Sequence, residues 1–372
     1  MHDRILITGG AGFVGSHLSD RLLREGYRVR VLDNLAPQVH GQEQAPPAYL
    51  DDRVELVLGD IRDPAQVSQA LKGVDVVYHF AAAVGVGQSM YQVETYTDIN
   101  NRGTAVLLEA LIKHPVRKLV VASSMSLYGE GLYHNSAGML CAPQERDLAA
   151  LKAGEWELRD HTGQNLHPLP TPETKTPSPS SVYALSKYDQ EKLCLIVGHA
   201  YGIPTVALRF FNIYGTRQAL SNPYTGVLAI FSSRYLNDKP PKIFEDGLQR
   251  RDFIHVQDIA QACLLALERD EANGEVFNVG SGHSYNIREI AEKIGKLLGK
   301  SHIEPEITGQ YRVGDIRHCY ADISKASEIL GYRPGITLDD GLAELADWLK
   351  SQTPQDHTET MHQELASRGL RL

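Results

Sequence analysis

The sequence predicts an α/β fold, with a doubly wound parallel sheet and a smaller lobe of mixed structure towards the C-terminus. Short runs rich in Val, Ile and Leu alternate with helical periods through the first two hundred residues. This alternation is typical of parallel βαβ units with right-handed crossovers. A glycine-rich turn follows the first apolar run, and the alternation loosens beyond residue 212.

Each predicted buried strand is a continuous apolar run that ends near Gly, Asp, Ala or Ser. The runs are RILITG (4–9), YRVRVLD (27–33), RVELVLGD (53–60), VDVVYHFAA (74–82), KLVVASS (118–124) and IPTVALRFFN (203–212). Helices are predicted where apolar residues recur at helical spacing. They cover 12–26, 98–114 and 182–201, and a strand–helix–strand unit over 250–280 returns to the sheet.

The composition disfavours several classes of protein. No apolar run approaches the roughly 18 residues that would span a bilayer. The chain enters its first strand without the pattern of a signal peptide, and its four cysteines show no CxxC spacing, so we expect reduced thiols and a cytoplasmic location. These cysteines are Cys141, Cys194, Cys263 and Cys319. A formal charge of −9 opposes nucleic-acid binding, so an anionic ligand must meet local arginines or helix N-termini.

A phosphate-binding turn is predicted between the first strand and the first helix. The stretch ILITGGAGFVGSHL contains Gly9, Gly10, Gly12 and Gly15. Glycines there permit a tight turn and let backbone N–H groups approach a pyrophosphate at the helix N-terminus. Asp33 follows Gly15 by 18 residues and ends the next strand. Its carboxylate suits an adenosine ribose and would repel a 2′-phosphate, so the pattern predicts NAD on a Rossmann-type sheet.

Other residues near the cofactor are less specific. Asn34 and Leu35 follow Asp33 where an arginine would favour NADP. Asp60 and Ile61, after the third strand, are candidate neighbours of the adenine, although an ordinary β–α turn explains them nearly as well.

A tyrosine and a lysine lie four residues apart in SSVYALSKYDQEK, near the start of a predicted helix. Tyr183 and Lys187 therefore share one helix face. A free tyrosine has a pKa near 10, and lowering it by about three units takes roughly 4 kcal/mol of phenolate stabilisation. The Lys187 ammonium and a cationic nicotinamide can supply that. An isolated pair would be a surface feature, but the fifth strand brings Ser123, Ser124 and Ser126 to the same sheet edge, so we predict a catalytic site.

These stretches resemble the extended short-chain dehydrogenase/reductases, and within them the nucleotide-sugar epimerases and dehydratases. The motifs are TGGAGFVG, YHFAAA, SSMSLYG, YALSK, LRFFNIYG and RRDFIHVQDIA, in order between residue 4 and about residue 345. The resemblance implies a nucleoside-diphosphate-sugar substrate, a homodimer, and Ser124, Tyr183 and Lys187 as catalytic residues. Within this family, the chain resembles UDP-galactose 4-epimerases and, more closely, dTDP-L-rhamnose 4-epimerases.

The resemblance also implies individual contacts. Cofactor-binding positions are Gly9, Gly12, Phe13, Val14, Gly15, Asp33, Asn34, Asp60, Ile61, Ala81, Ala82, Asn100, Ser123, Tyr183, Lys187 and Phe210. Substrate-binding positions are Ser124, Ser126, Asn212, Val227, Arg251 and Arg312. Asn100 fits a role in stabilising its helix better than a contact with the substrate. For the two arginines a solvated surface position, and for Asn212 a turn position, remain alternatives.

The domain organisation follows from these assignments. Residues 1–211 form the NAD-binding domain, to which 252–280 returns. Residues 212–251, with one helix near 226–237, and 281–352 form the lobe that binds the nucleotide sugar. For the polar tail, 353–372, we make no structural prediction.

The residues that follow Ser124 discriminate between reactions. In the family that this chain resembles, the 4,6-dehydratases have an Asp–Glu pair where this chain has Met125 and Ser126. Neither residue can act as a general acid of suitable pKa, which disfavours dehydration. Inversion at C4 through a transient 4-keto sugar needs one base and one hydride acceptor. A UDP-glucuronate decarboxylase, which begins with the same oxidation, is an alternative, and a silent NAD-sensing scaffold would not need all three catalytic residues.

An insertion departs from the family pattern. Ser124 and Tyr183 are 59 residues apart, and about 30 of these are inserted across 130–178, where a long insertion beside an active site is usually functional. We expect a flap over the sugar or a dimer contact. Cys141, His161 and His167 match no compact zinc motif, so no metal is predicted. The insertion resembles a segment of epimerases for dTDP-6-deoxyhexoses such as dTDP-L-rhamnose.

Overall fold

The computed structural model describes residues 3–143 and 145–371. The strands of these residues, in chain order, are β1 (Arg4–Thr8), β2 (Arg28–Asp33), β3 (Glu55–Leu58), β4 (Val76–His79), β5 (Lys118–Ser124), β6 (Leu132–His134), β7 (Leu140–Cys141), β8 (His167–Leu169), β9 (Thr205–Phe210), β10 (Asn212–Tyr214), β11 (Lys242–Ile243), β12 (Arg250–Arg251), β13 (Phe253–His255), β14 (Val276–Val279), β15 (Tyr285–Asn286), β16 (Glu306–Ile307) and β17 (His318–Cys319).

The α-helices of the same residues are α1 (Phe13–Arg24), α2 (Pro37–His40), α3 (Pro64–Ala70), α4 (Val86–Ser89), α5 (Val93–Tyr96), α6 (Gly103–Lys113), α7 (Leu148–Lys152), α8 (Val182–Tyr201), α9 (Val227–Leu236), α10 (Val256–Glu268), α11 (Ile287–Leu297), α12 (Leu338–Leu349) and α13 (Thr358–Ser367). Short 3₁₀ or π-helical segments occupy Thr97–Arg102, Met125–Tyr128, Asp270–Ala272 and Ala326–Leu330.

Seven strands form the central sheet in the order β3-β2-β1-β4-β5-β9-β14. All six neighbouring pairs are parallel. The chain builds outward from β1 in one direction and from β4 in the other, which confirms the predicted doubly wound sheet. Ligands of such sheets bind beyond the carboxyl ends of the strands, at the point where the order reverses.

Side chains of each buried strand alternate between two apolar layers. Ile5 and Ile7 of β1 pack in the layer that contains α1 and α10, whereas Leu6 packs in the layer that contains α3, α6 and α8. Helices therefore cover both faces of the sheet, and its inner strands are buried on both sides.

Two predicted elements differ in detail. The helix predicted over 98–114 begins as a π-helical segment at Thr97–Arg102 and becomes α-helical at Gly103. The strand predicted over 203–212 ends at Phe210, and Asn212 begins the separate strand β10. The predicted helix near 226–237 is α9.

The second lobe has its own apolar core. Phe231 and Tyr235 of α9 pack with Ile290 of α11 and Leu342 of α12. The Tyr235 hydroxyl donates a 3.1 Å hydrogen bond to the carbonyl of Ala291. These residues come from the two segments, 212–251 and 281–352, that the sequence assigns to the lobe.

The insertion forms a three-stranded antiparallel sheet in the order β7-β6-β8. It also contacts the lobe. Buried ion pairs fasten it there. Arg317 bonds Glu157 of the insertion and Glu245 of the lobe. Arg146 of the insertion reaches Glu245 at 2.7 Å and Glu130 at 3.2 Å.

Two predictions from composition can be compared with the structure. Within residues 3–143 and 145–371, no helix combines the length and apolar character needed to cross a bilayer. All four cysteines are free, and three of them are buried.

Candidate active site

A tight glycine turn joins β1 to α1. Gly9 has φ of +69°, and a Cβ there would lie 2.9 Å from the backbone of Ala81. A Cβ on Gly15 would lie 2.5 Å from the Cα of Gly10. The close approach of this turn to the helix and to the end of β4 therefore requires glycine at both positions.

The N-terminus of α1 suits a pyrophosphate. Gly12 occupies its N-cap, no side chain caps it, and its first turn has no acidic residue. Phe13 and Val14 begin the helix and line the large cavity described below. Backbone N–H groups of this turn are left to an anion, which a helix N-terminus also favours electrostatically.

Asp33 lies beside the glycine turn at the end of β2. Its carboxylate accepts hydrogen bonds from the backbone N–H groups of Ala11 at 3.0 Å and Leu35 at 2.9 Å. Each carboxylate oxygen has a further lone pair, so the group can also accept hydrogen bonds from ribose hydroxyls. Burial lowers the pKa of the neighbouring His40, and Asp33 therefore faces a neutral imidazole.

The residues predicted near the adenine form a polar edge. Asp60 accepts hydrogen bonds from Arg62 at 2.6 and 2.8 Å and from Asn34 at 3.3 Å. The Arg62 hydrogen bonds lower the pKa of Asp60 to about 2. Ile61 is buried, and its side chain would lie 2.6 Å from a Cβ at Gly103. A role next to adenine stays a prediction for Asp60 and Ile61.

Asn100 stabilises the loop after β4, which borders the site. Its amide nitrogen donates to the carbonyl of Ala83 at 3.0 Å and to Ser186 at 2.8 Å, and its oxygen accepts from the Ala83 N–H at 2.7 Å. These contacts fix the loop after β4, in which Ala82 lines the cavity. The predicted role in stabilising the local structure therefore describes Asn100 better than a contact with a ligand.

The three serines at the end of β5 differ in what their side chains contact. The Ser123 hydroxyl donates at 2.7 Å to Glu191, which forms a buried bidentate pair with Arg209. The Ser123 side chain could therefore only accept a hydrogen bond from a cofactor, because its proton is donated to Glu191. The Ser124 hydroxyl accepts from the Ser126 N–H at 3.2 Å, and both serines line the cavity.

Helix α8 holds the tyrosine and the lysine. Ser181 caps its N-terminus by accepting a 3.1 Å hydrogen bond from the Ala184 N–H, and Gly202 ends the helix in a left-handed conformation. Tyr183 and Lys187 lie one turn apart and both line the cavity. The sequence-based helix, 182–201, coincides with the observed bounds.

The surroundings of Tyr183 and Lys187 shift the pKa values of both side chains. Burial raises the pKa of Tyr183, whereas its hydrogen bond with Ser124 lowers it. Burial lowers the pKa of Lys187 to about 8. The predicted lowering of the tyrosine pKa therefore requires the Lys187 ammonium and a cationic nicotinamide to outweigh burial.

A buried polar chain beneath Lys187 was missed by the sequence analysis. Lys187 Nζ donates a 2.6 Å hydrogen bond to Gln190 Oε1, and Gln190 Nε2 donates to Thr104 at 2.9 Å. His79 lies between the hydroxyls of Thr8 and Thr104, at 2.8 and 2.9 Å. Burial lowers the pKa of His79 to about 3. The spacing of Gln190, three residues after Lys187, is the one sequence signal for this chain.

One cavity of about 470 Å³ brings most predicted site residues together. The predicted residues that line it are Phe13, Val14, Ala82, Ser123, Ser124, Ser126, Tyr183, Lys187, Phe210, Asn212, Val227, Arg251 and Arg312. None of the described residues of the insertion, 130–143 and 145–178, lines the cavity. A flap over the sugar and a dimer contact both stay predictions for 130–178.

Three of the predicted substrate residues, Asn212, Arg251 and Arg312, come from the segments of the lobe. Asn212 Oδ1 is buried and accepts no hydrogen bond within the described residues, so it can accept one from a ligand. Arg251 donates to the carbonyls of Ile316 and Arg317 at 2.6 and 2.8 Å. Arg312 forms a bidentate pair with Asp315, in which Nη2 donates to Oδ1 at 2.7 Å and Nε donates to Oδ2 at 3.1 Å.

The cavity has a positive balance of charge. Its described lining contains four cationic side chains and one carboxylate, that of Asp315. The cations are Lys187, Lys242, Arg251 and Arg312. This local balance opposes the net charge of −9 of the whole chain and suits an anionic ligand.

The C-terminal helix α13 also reaches the cavity, although no structure was predicted for the tail, 353–372. Thr358, Met361 and His362 line the cavity. The sequence of the tail indicates a buried helix only weakly, because the buried residues of α13 are separated by polar ones.

Comparisons with known proteins agree with this geometry. The family described as NAD dependent epimerase/dehydratase matches residues 5–280. A dTDP-L-rhamnose 4-epimerase of Burkholderia thailandensis is 35% identical, over 94% of this chain and 95% of that protein. A UDP-N-acetyl-alpha-D-glucosaminuronate decarboxylase of Bacillus cytotoxicus is 29% identical, over 94% and 98% of the two chains.

Solved structures are similar over nearly the whole chain. The UDP-glucuronic acid 4-epimerase of Bacillus cereus, in complex with UDP-glucuronic acid and NAD, superposes with a TM-score of 0.76 and 31% identity. The alignment covers 93% of this chain and 99% of that one. The predicted fold, family and NAD cofactor are thereby confirmed.

Proposed function

Because the chain belongs to the NAD-dependent epimerase/dehydratase family, we propose that it is a nucleotide-sugar 4-epimerase. It inverts C4 of a nucleoside-diphosphate hexose through a transient 4-keto sugar. The observation that carries this proposal is the shared cavity, which is lined both by Ser124, Tyr183 and Lys187 and by the cations Arg251 and Arg312.

The residues near β1 and β2 fit NAD. The glycine turn and the uncapped N-terminus of α1 would hold the pyrophosphate, and Asp33 would hold the adenosine ribose. NAD would accept a hydride from C4 and return it there.

The chain itself supplies the proton chemistry. Tyr183 takes the proton of the C4 hydroxyl and later returns one to the C4 oxygen, while Ser124 hydrogen-bonds that same oxygen. Lys187 stabilises the phenolate by its charge. Its hydrogen bond with Gln190 keeps the ammonium oriented.

The cavity lining favours epimerisation over dehydration. The positions after Ser124 are Met125 and Ser126, and both line the cavity without a carboxyl group. The lining carboxylate, Asp315, is paired with Arg312. An acid that could protonate a departing C6 hydroxyl is therefore missing from the described lining.

For the substrate we propose a dTDP-6-deoxyhexose such as dTDP-L-rhamnose. The 35% identity with a dTDP-L-rhamnose 4-epimerase supports this choice. The side chain of Met125, which is 6% exposed, is an apolar lining group beside Ser124 and suits a C6 methyl better than a C6 hydroxyl.

A homodimer is part of the proposal. Leu185 and Ile196 are 50% and 63% exposed on α8. They are 11 residues apart and therefore share one helix face. Burial of this face against a second copy would remove both side chains from water. Sedimentation equilibrium of the purified protein tests this, and a monomer at micromolar concentration contradicts it.

The experiment for the activity uses purified protein and a panel of dTDP-, UDP- and GDP-sugars. NMR follows the configuration at C4. The proposal predicts a C4 epimer as product without added NAD, because the cofactor is restored in each cycle. Loss of water would indicate a dehydratase, and release of CO₂ from a uronic-acid substrate would indicate a decarboxylase.

A further inference from the structure

The C-terminal helix α13 forms part of the wall of the cavity. Thr358, Met361 and His362 line the cavity, and Leu365 on the same side of the helix is fully buried. This wall comes from the tail, 353–372, outside the six sequence motifs.

Charged contacts fasten the start of α13 to the lobe. Arg234 of α9, which is buried, bonds Asp356 at 3.1 Å and Glu359 at 3.0 Å. Lys242, which also lines the cavity, bonds Glu359 at 2.9 Å.

A second set of contacts fastens the middle of the helix. The Glu364 carboxylate accepts hydrogen bonds from the hydroxyls of Tyr91 and Tyr224, both at 2.7 Å. Tyr91 follows β4 in the NAD-binding part, whereas Tyr224 belongs to the lobe side of the cavity. Helix α13 therefore has a fixed position relative to both sides of the cavity.

His362 is placed as an aromatic lining group. Its ring stacks on Phe244, with centroids 5.3 Å apart and planes at 17°. Both rings line the cavity. Arg371 contacts His362 Nδ1 at 3.1 Å, and burial, Lys242 and Arg371 lower the pKa of His362 to about 4. The imidazole is therefore neutral near pH 7 and behaves as a polar aromatic ring.

We propose that His362 is a binding residue for the nucleobase, which packs against the Phe244–His362 ring pair. This inference rests on the proposed function in that it takes a nucleoside diphosphate as the anionic part of the ligand. The cations Lys242, Arg251 and Arg312 line the same cavity as the ring pair, and the Arg312 guanidinium lies 5.4 Å from the centre of the Phe244 ring. A diphosphate held by these cations places its nucleoside beside the two rings.

The test is isothermal titration of the NAD-loaded protein with dTDP, UDP and GDP, and with inorganic pyrophosphate as a probe without a base. We expect His362→Ala to weaken the best-bound nucleotide about tenfold, the range of a single base–aromatic stack. Pyrophosphate affinity should be unchanged. His362→Phe, which keeps a ring, should stay within about threefold of the unsubstituted protein.

Gln363→Ala, an exposed neighbour on the same helix, is the matched control and should bind all probes normally. Thermal unfolding and NAD content establish that each variant folds. The inference is overturned if His362→Ala binds nucleotides normally, if it loses pyrophosphate affinity equally, or if His362→Phe is as weak as His362→Ala. Because titration needs no turnover, failure of epimerisation with these binding results intact would overturn the proposed function alone.

Discussion

The Nζ of Lys187 donates a 2.6 Å hydrogen bond to Oε1 of Gln190, one helical turn further along α8. Both side chains are buried, and Gln190 connects the ammonium to Thr104. We therefore expect Gln190 to be a positioning residue, which acts on the proposed reaction through Lys187.

The hydrogen bond predicts a shift in the pH profile of Gln190→Ala. Lys187 has its pKa lowered to about 8, so activity that needs its ammonium falls as pH rises through that value. Removing the acceptor destabilises the charged form, and the alkaline limb should move to lower pH. We expect kcat at pH 7 to fall about tenfold, as for loss of a hydrogen bond to a charged group.

Gln190→Glu provides the opposite change, because a carboxylate stabilises the ammonium and should move the alkaline limb to higher pH. The measurement is kcat across pH 6–10, in the range where the unsubstituted protein is folded. Identical limbs in both variants would contradict the assignment of Gln190.

Tyr183→Phe removes the proposed base without removing the ring. We expect turnover to fall at least a hundredfold, within the range for general acid–base catalysis. The ring still fills the same space, so thermal unfolding and NAD content should be unchanged. A variant that epimerises at a near-normal rate would exclude the Tyr183 hydroxyl from the chemistry.

The buried ion pair of Glu191 and Arg209 should contribute strongly to the free energy of unfolding. Glu191→Ala leaves the Arg209 guanidinium buried without its partner, and we expect a loss of about 3–5 kcal/mol in the free energy of unfolding. Glu155→Ala is the matched control, because Glu155 pairs with Arg159 at 2.8 Å on the surface. Its cost should be below about 1 kcal/mol. Urea unfolding measures both, and equal losses would be evidence against the buried pair.

His79 predicts an acid-sensitive component of stability. Its pKa is lowered from 6.5 to about 3 in the folded chain, so the unfolded state binds more protons between these values. Stability is therefore lost as pH falls below 6.5, and one such group costs about 2 kcal/mol at pH 5 relative to pH 7.

In His79→Gln the free energy of unfolding should depend less on pH between 7 and 5. The exposed His161 provides the control variant His161→Gln, which should keep the full pH dependence. A His79→Gln protein with an unchanged slope would contradict the assignment of a neutral, buried imidazole.

The elements that carry a strong local pattern were predictable from the sequence. The strands of the central sheet are buried on both faces, so they appear as continuous apolar runs, and Ser181 and Gly202 mark the ends of α8. The glycine turn and the Tyr183–Lys187 pair were found because each depends on spacing along one element.

The supporting contacts were not predictable in the same way. Gln190, Thr104 and His79 are distant in sequence and meet only after the sheet and its helices pack. Helix α13 has no side-chain cap at His357, and its position over the cavity depends on ion pairs with Arg234. The insertion likewise has its place fixed by long-range pairs, such as that between Arg317 and Glu157.

The central claim is that C4 is oxidised and then reduced again by the same bound cofactor. The most direct measurement incubates the protein in H₂O with a nucleotide sugar that carries deuterium at C4 and follows the epimer by NMR. The account predicts full retention of deuterium at C4 of the product, because the hydride returns to the carbon that it left. Replacement of that deuterium by solvent hydrogen would contradict it.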